Sequence, residues 1–217
     1  MKQFISLFLI LTVCSGAVAQ QAIRKTIDGY DYVAIDNSRL PAKVKKTTAE
    51  VNTIIDASTG RTQSHTELGD INKKVSPSFL ISRVEMDDAD GNPALSTNDA
   101  NTMEWEEASN ACKNYKGLSG NDAGKWRLPT LREAELIWIL RPMIIELGYT
   151  FKKLPDPSNS SNSALYWTST EYSDNLLKAW CIDFYAGNTN PLEKEKTQEG
   201  DGGEQQSVKF VRCIRDF

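Results

Sequence analysis

Trp126-Arg127-Leu128-Pro129-Thr130 joins an extended segment to a helix, and the rest of the chain reads outward from that junction. Pro129 fixes its own φ near about −65° and pushes Leu128 toward extended geometry, so the residues before it are not helical. Thr130 then has the chemistry of an N-cap, and Glu133 completes a T-x-x-E capping box ahead of the apolar residues Leu131, Ala134, Ile137 and Trp138. The pattern predicts a helix from Thr130 to about Leu140. Pro142 is expected to break or kink it and Gly148 to stop the chain's helical course.

Upstream, Trp105, Ala108, Cys112 and Tyr115 recur at helical spacing and define one face of a second helix. Asn101, with Glu104 three residues on, is the expected cap, and the face directs Cys112 toward the core. Before it, residues 78–84 form a β-rich run ended by an acidic turn over residues 87–93. The turn has the D-x-D-G look of a calcium loop without the distal bidentate Glu, so a solvated turn is the better reading. Downstream, a Pro/Ser/Asn-rich loop over residues 155–163 leads to a strand over residues 165–170. A second strand, residues 178–184, places Trp180, Ile182 and Phe184 on one face and Ala179, Cys181 and Asp183 on the other. A charged loop over residues 187–206 is expected to be exposed, and residues 208–214 form a last strand. Residues 20–75 are largely polar, with one alternating strand over residues 30–35, and read as an extension whose core is too thin to fold alone.

The first nineteen residues carry Lys2, an apolar run and the small-residue triplet Ala17-Val18-Ala19, the pattern of a cleaved Sec signal peptide. Lipidation at Cys14 is the alternative, although Val13 is branched where a lipobox takes a small residue. Export is therefore expected, to the periplasm, the cell surface or the medium. The whole chain has 25 Lys and Arg against 29 Asp and Glu, and cleavage would remove one lysine. With no basic block, nucleic acid is not an expected partner. No later apolar stretch is long enough to span a bilayer, so an integral membrane protein is not expected either. Three cysteines remain beyond the signal peptide, Cys112, Cys181 and Cys213, which in an oxidising compartment suggests one pair and one leftover thiol.

Five ordered motifs carry a family likeness: W-x-x-A-x-x-x-C (Trp105 to Cys112), WRLPT-x-x-E (Trp126, Arg127, Pro129, Thr130, Glu133), YWTSTE (with Trp167), AW-x-x-x-F (with Trp180) and VRCIRD (with Arg212). Together they resemble the C-terminal domain type of bacterial Lcl adhesins, which is similar to C-type-lectin-like and sulfatase-modifying-factor folds. The resemblance implies an α+β, C-type-lectin-like domain over residues 76–217, with two helices flanking twisted antiparallel sheets. It also implies a disulfide between Cys112 and Cys213, leaving Cys181 as the free thiol. The expected organisation is a signal peptide over residues 1–19, an N-terminal extension over 20–75 and this domain.

The same resemblance points to a non-catalytic, adhesin-like role on a glycan or surface protein, a fold-level inference. An accessory subunit of a surface filament is the alternative. The lectin tripeptides that hold calcium do not occur, so no metal or other cofactor is expected. An oxidase of the formylglycine-generating type would need paired thiols, and His65, the single histidine, sits in polar sequence without a nucleophile context, so catalysis is not expected. Most of the five tryptophans fall in patterns that bury one face, and core packing is their expected role. The remaining candidates for binding are Ser169, Thr170, Glu171 and Tyr172, together with the long polar loops.

Overall fold

A computed structural model describes residues 21–37, 75–96, 100–151, 164–172, 175–195 and 209–217. In chain order its elements are β1 (Gln21–Ile27), β2 (Tyr30–Asp36), β3 (Ser78–Ile81), α1 (Trp105–Asn114), α2 (Leu131–Ile139), α3 (Arg141–Glu146), β4 (Leu165–Glu171), β5 (Lys178–Asp183), β6 (Thr189–Glu193) and β7 (Ile214–Asp216). The expected signal peptide, Cys14, His65 and the loop over residues 155–163 lie outside the described residues.

The fold is α+β with two antiparallel sheets. One is ordered β1-β2-β3-β7 and the other β4-β5-β6. β1 and β2 form a hairpin whose turn residues, Asp28 and Gly29, both have positive φ (52° and 82°), as a two-residue I′ turn requires. The strands over residues 21–36 thus enter the same sheet as β3 and the chain's final strand. The sheets are tied together by a parallel bridge between Tyr166 and Phe210, where Trp167 N donates to Phe210 O at 3.1 Å.

Both faces of β2, β3, β4 and β5 are buried, and alternate residues feed two separate cores. Val33, Ile35, Phe79, Ile81, Tyr166, Ile182 and Phe184 pack with Ala134, Ile137 and Ile144 of α2 and α3. Tyr32, Ala34, Leu80, Trp167, Ala179 and Cys181 pack with Ala108, Ala111 and Cys112 of α1. This explains why Phe79-Leu80-Ile81 is a continuous apolar run: each side chain is fully buried, on one side or the other. Burying each such side chain contributes about 1.5–3 kcal/mol, so the two cores, one under each helical layer, hold the sheets from both sides.

α2 starts where its sequence says. Thr130 accepts from Glu133 N at 3.3 Å through its hydroxyl, and Glu133 Oε2 accepts from Thr130 N at 2.8 Å. Four expectations need correction. α1 is capped by Glu104, whose N–H donates to Glu107 Oε2 at 3.1 Å, while Asn101 turns away to donate to Asp87 Oδ1 at 2.9 Å. A third helix, α3, begins around Pro142, because proline is tolerated in a first turn, where its missing N–H has no role. The charged stretch after Gly187 contains β6 and the buried Lys194, since β5 offers a free edge for Thr189–Glu193 to pair with. The last strand lies later than expected, at Ile214–Asp216, because Lys209 and Phe210 are held by Met103 and Tyr166 before the chain reaches β3.

Candidate functional site

The charged residues of the sequence motifs are turned inward. Arg127 is 3% exposed and lies between two carboxylates. Its Nη1 and Nη2 donate to Glu133 Oε2 and Oε1 at 2.7 and 2.9 Å, and its Nε and Nη2 donate to Asp216 Oδ2 and Oδ1 at 2.9 and 2.7 Å. Nη2 also donates to Ser76 Oγ at 2.8 Å, and Ser76 N donates to Glu133 Oε1 at 2.9 Å. Burial alone would pull the guanidinium's pKa down, but Glu133 and Asp216 reverse that and hold it above its ordinary value. Glu133 therefore caps α2 and neutralises Arg127 at once, which joins the helix start to β7 and to the segment before β3.

Arg212 does similar work beside the disulfide. Its Nη2 donates to Glu85 Oε1 at 2.6 Å and to the carbonyl of Thr150, and its Nη1 donates to the carbonyls of Ser82 and Arg83 at 2.9 and 2.8 Å. Tyr166 donates to the same Glu85 Oε1 at 2.5 Å. Next to it Cys112 of α1 is bonded to Cys213, with Cα atoms 5.3 Å apart and 101 residues of chain between them. Cys181 is the free cysteine among the described residues, and burial pushes its thiol well above the ordinary value despite the nearby Lys209 charge.

The four residues singled out as binding candidates are only partly at the surface. Thr170 and Glu171 are each 8% exposed. Thr170 Oγ1 accepts from Leu131 N at 2.9 Å, supporting the start of α2, and Glu171 is ion-paired with buried Lys194. Ser169 is half-buried, and its N–H donates to Pro129 O at 2.8 Å. Tyr172 is half-buried and meets Trp180 edge-on at 5.6 Å. Trp105 is half-buried too; its Nε1 donates to Thr168 O at 2.8 Å and Lys194 Nζ lies 4.3 Å from its ring centroid. Trp126 and Trp167 are fully interior, with Trp126 edge-on to Tyr115 at 4.9 Å. Chemically, then, this run braces α2 and the sheet edge.

The described surface opens elsewhere, in a groove of about 650 Å³ that sequence reasoning missed. One wall is the acidic turn and the residues after it, Asp90 to Ser96; another is the end of α1, Asn114 to Leu118; Arg83, Val84, Gly148 and Thr150 complete it. The walls are fastened to rigid structure. Asn114 Nδ2 donates to Ala89 O at 2.9 Å, and Gly91 packs so tightly on the helix end that a Cβ there would sit 2.4 Å from Tyr115 N. Within the turn, Asp88 Oδ1 accepts from Asp90 N and Asn92 N at 3.0 and 3.1 Å, and Oδ2 accepts from Asn92 Nδ2 at 2.8 Å. These bonds, first the Asn92 amide, hold the Asp88 carboxyl below its ordinary pKa. Asp87 is engaged by Asn101. The turn's D-x-D-G pattern thus records a carboxylate folding its own loop around itself, and the signal for the groove was Gly91 and Gly117, two positive-φ glycines flanking the ends of its walls.

The groove presents exposed Arg83, Asp90, Asn92, Asn114 and Lys116, a set suited to hydrogen bonding and charge recognition. Among the described residues no group of three or more His, Cys, Asp or Glu is placed to hold a metal ion. No described helix is long and apolar enough to cross a membrane. A family model described as the Lcl C-terminal domain matches residues 52–215. Comparison with curated proteins finds no match.

Proposed function

The chain belongs to the Lcl C-terminal domain family, and from that premise we propose that it is an exported, non-catalytic binding module recognising a glycan or protein partner. The observation that carries this reading is the groove of about 650 Å³, a volume within the range of ligand sites, with walls made of loops anchored to a buried scaffold. On this reading the two sheets with their helical layers are a C-type-lectin-like scaffold, residues 1–19 direct export, and the Cys112–Cys213 bond suits an oxidising compartment.

A non-catalytic role fits the state of the buried ionisable groups. Arg127 is matched by Glu133 and Asp216, Arg212 by Glu85, and Lys194 by Glu171, so each serves packing. An oxidase using paired thiols would find Cys112 and Cys213 joined and Cys181 sealed in the core with its thiol protonated.

Glycan and peptide arrays probed with the disulfide-bonded chain test the reading. Lys116→Trp, at an exposed groove position, should abolish capture while leaving the melting temperature unchanged. Full binding by that variant would remove the groove from the proposal. The second reading, an accessory subunit of a surface filament, draws on β1, one of the two edge strands of its sheet among the described residues, as strand addition requires. Concentration-dependent assembly in size-exclusion chromatography would favour it.

A further inference from the structure

We propose that the groove at the C-terminal end of α1 captures the carboxyl terminus of a peptide or protein, with Arg83 and Lys116 taking the terminal carboxylate. The inference deepens the binding-module reading and rests on it. Charge is the first argument. The chain as a whole carries a net charge of −4, yet the described residues lining its groove include two cations and, in Asp90, one acid. Arg83 and Lys116, both exposed, form no ion pair among the described residues; Arg24, Lys25 and Lys113 share that state, but they do not line the groove, which is what sets the first two apart. Unpaired cations at a concave surface attract an anion, and Asp90 beside them disfavours a polyanion such as a sulfated polymer. A ligand with a single carboxylate satisfies both conditions.

The second argument separates peptide from sugar. Sugar recognition commonly uses an open aromatic face, and the aromatic residue lining this groove, Tyr115, is 3% exposed with its ring against Trp126. Among the described residues lining the groove, none offers a stacking surface. What the groove does offer is the pair of exposed side-chain amides, Asn92 and Asn114, each spending one Nδ2 hydrogen on Asp88 Oδ2 or Ala89 O and keeping its Oδ1 and second N–H for a ligand, beside half-buried apolar Val84 and Leu118. Amides match the alternating donors and acceptors of a peptide backbone, and the apolar contacts match a terminal side chain. Capture of a C-terminal carboxylate is an established mode of peptide recognition, and its charge-assisted hydrogen bonds are about twice as strong as neutral ones.

The test uses the disulfide-bonded chain on an immobilised library of N-acetylated hexapeptides, printed once with free C-terminal carboxylates and once as C-terminal amides, beside a glycan array. Free-acid peptides should bind at least about tenfold more tightly than their amides, the loss expected when a charge-assisted contact is removed. Arg83→Gln with Lys116→Gln should erase that preference with no shift in melting temperature. Equal capture of acids and amides, or a preference untouched by the double variant, overturns the inference. Glycan capture without peptide capture overturns it while leaving the binding-module reading in place. Silence on both arrays overturns both.

Discussion

Arg127 and Arg83 carry the same guanidinium into opposite surroundings. Arg127 sits at the helix junction, buried, with every one of its directions occupied by Glu133, Asp216, Ser76 and the carbonyl of Leu128. Arg83 stands exposed at the groove and forms no ion pair among the described residues. Removing two carboxylates and a guanidinium from water is unfavourable unless each finds its partner, so the first site is committed to structure. The second keeps its charge hydrated and available. The same comparison holds between Lys194, closed against Glu171 and Trp105, and Lys116 at the groove. In this fold the motif residues that mark the family build the frame, and residues outside the motifs line the concave surface.

The largest expected effect breaks the buried side of the comparison. Arg127→Met leaves Glu133 and Asp216 without their cation, and the loss should reach about 5 kcal/mol, the upper end for a buried pair stripped of one partner. Denaturant titration reads it; a loss below 1 kcal/mol would mean the cluster is solvated. Trp126→Ala follows at about 4 kcal/mol, since a fully buried indole against Tyr115 and Tyr32 leaves a large cavity. An unchanged melting temperature would place this ring outside the core.

Asp122 sharpens the middle of the range. Burial works to raise the pKa of its carboxyl, but the hydrogen bond from Lys125 and the charge of Arg215 prevail and hold it below its ordinary 3.8. A depressed native pKa stabilises the fold above the unfolded value, and that contribution disappears as pH falls through the native one. Melting curves should therefore lose stability on acidification below about pH 4, with Asp122→Asn flattening that part of the profile. An unaltered acid profile would assign the acid sensitivity to other carboxylates. The smallest effect belongs to the groove: Arg83→Gln and Lys116→Gln should shift stability by no more than about 0.5 kcal/mol each, as exposed substitutions do. A larger shift in chemical denaturation would show that these cations also support the frame.

The frame was legible because its signals are local. Thr130 and Glu133 form their capping box within one turn, Cys112 falls on the apolar face of α1, and the Cys112–Cys213 bond agrees with the family likeness. Of the hairpin only β2 shows as an alternating run, although Asp28-Gly29, the turn pair that joins it to β1, is among the strongest short-range hairpin signals. Glu171 reads as surface in the sequence because its partner, Lys194, lies 23 residues away in a stretch whose composition suggests solvent. Of the groove only Gly91 and Gly117 show in the sequence: its walls come from segments around Asp90, Lys116 and Gly148, brought together by tertiary contacts that no periodicity records.

The pairing of β3 with β7 bears on when the protein can fold. Phe79 meets Asp216 and Ile81 meets Ile214, so the larger sheet cannot close before residues 214–216 are in place. Contacts this distant in sequence slow folding, because loop-closure entropy opposes them before burial compensates. A chain emerging N-terminus first would pair one edge of β3 with β2 and leave the other edge unpaired until residues 214–216 arrive. During that interval Cys112 can meet Cys181 before Cys213 is within reach, so correct oxidation depends on β7 docking ahead of covalent capture. Oxidation of the chain as it emerges should accordingly pass through a Cys112–Cys181 species that thiol exchange must resolve, on the timescale of seconds to hours typical of disulfide reshuffling.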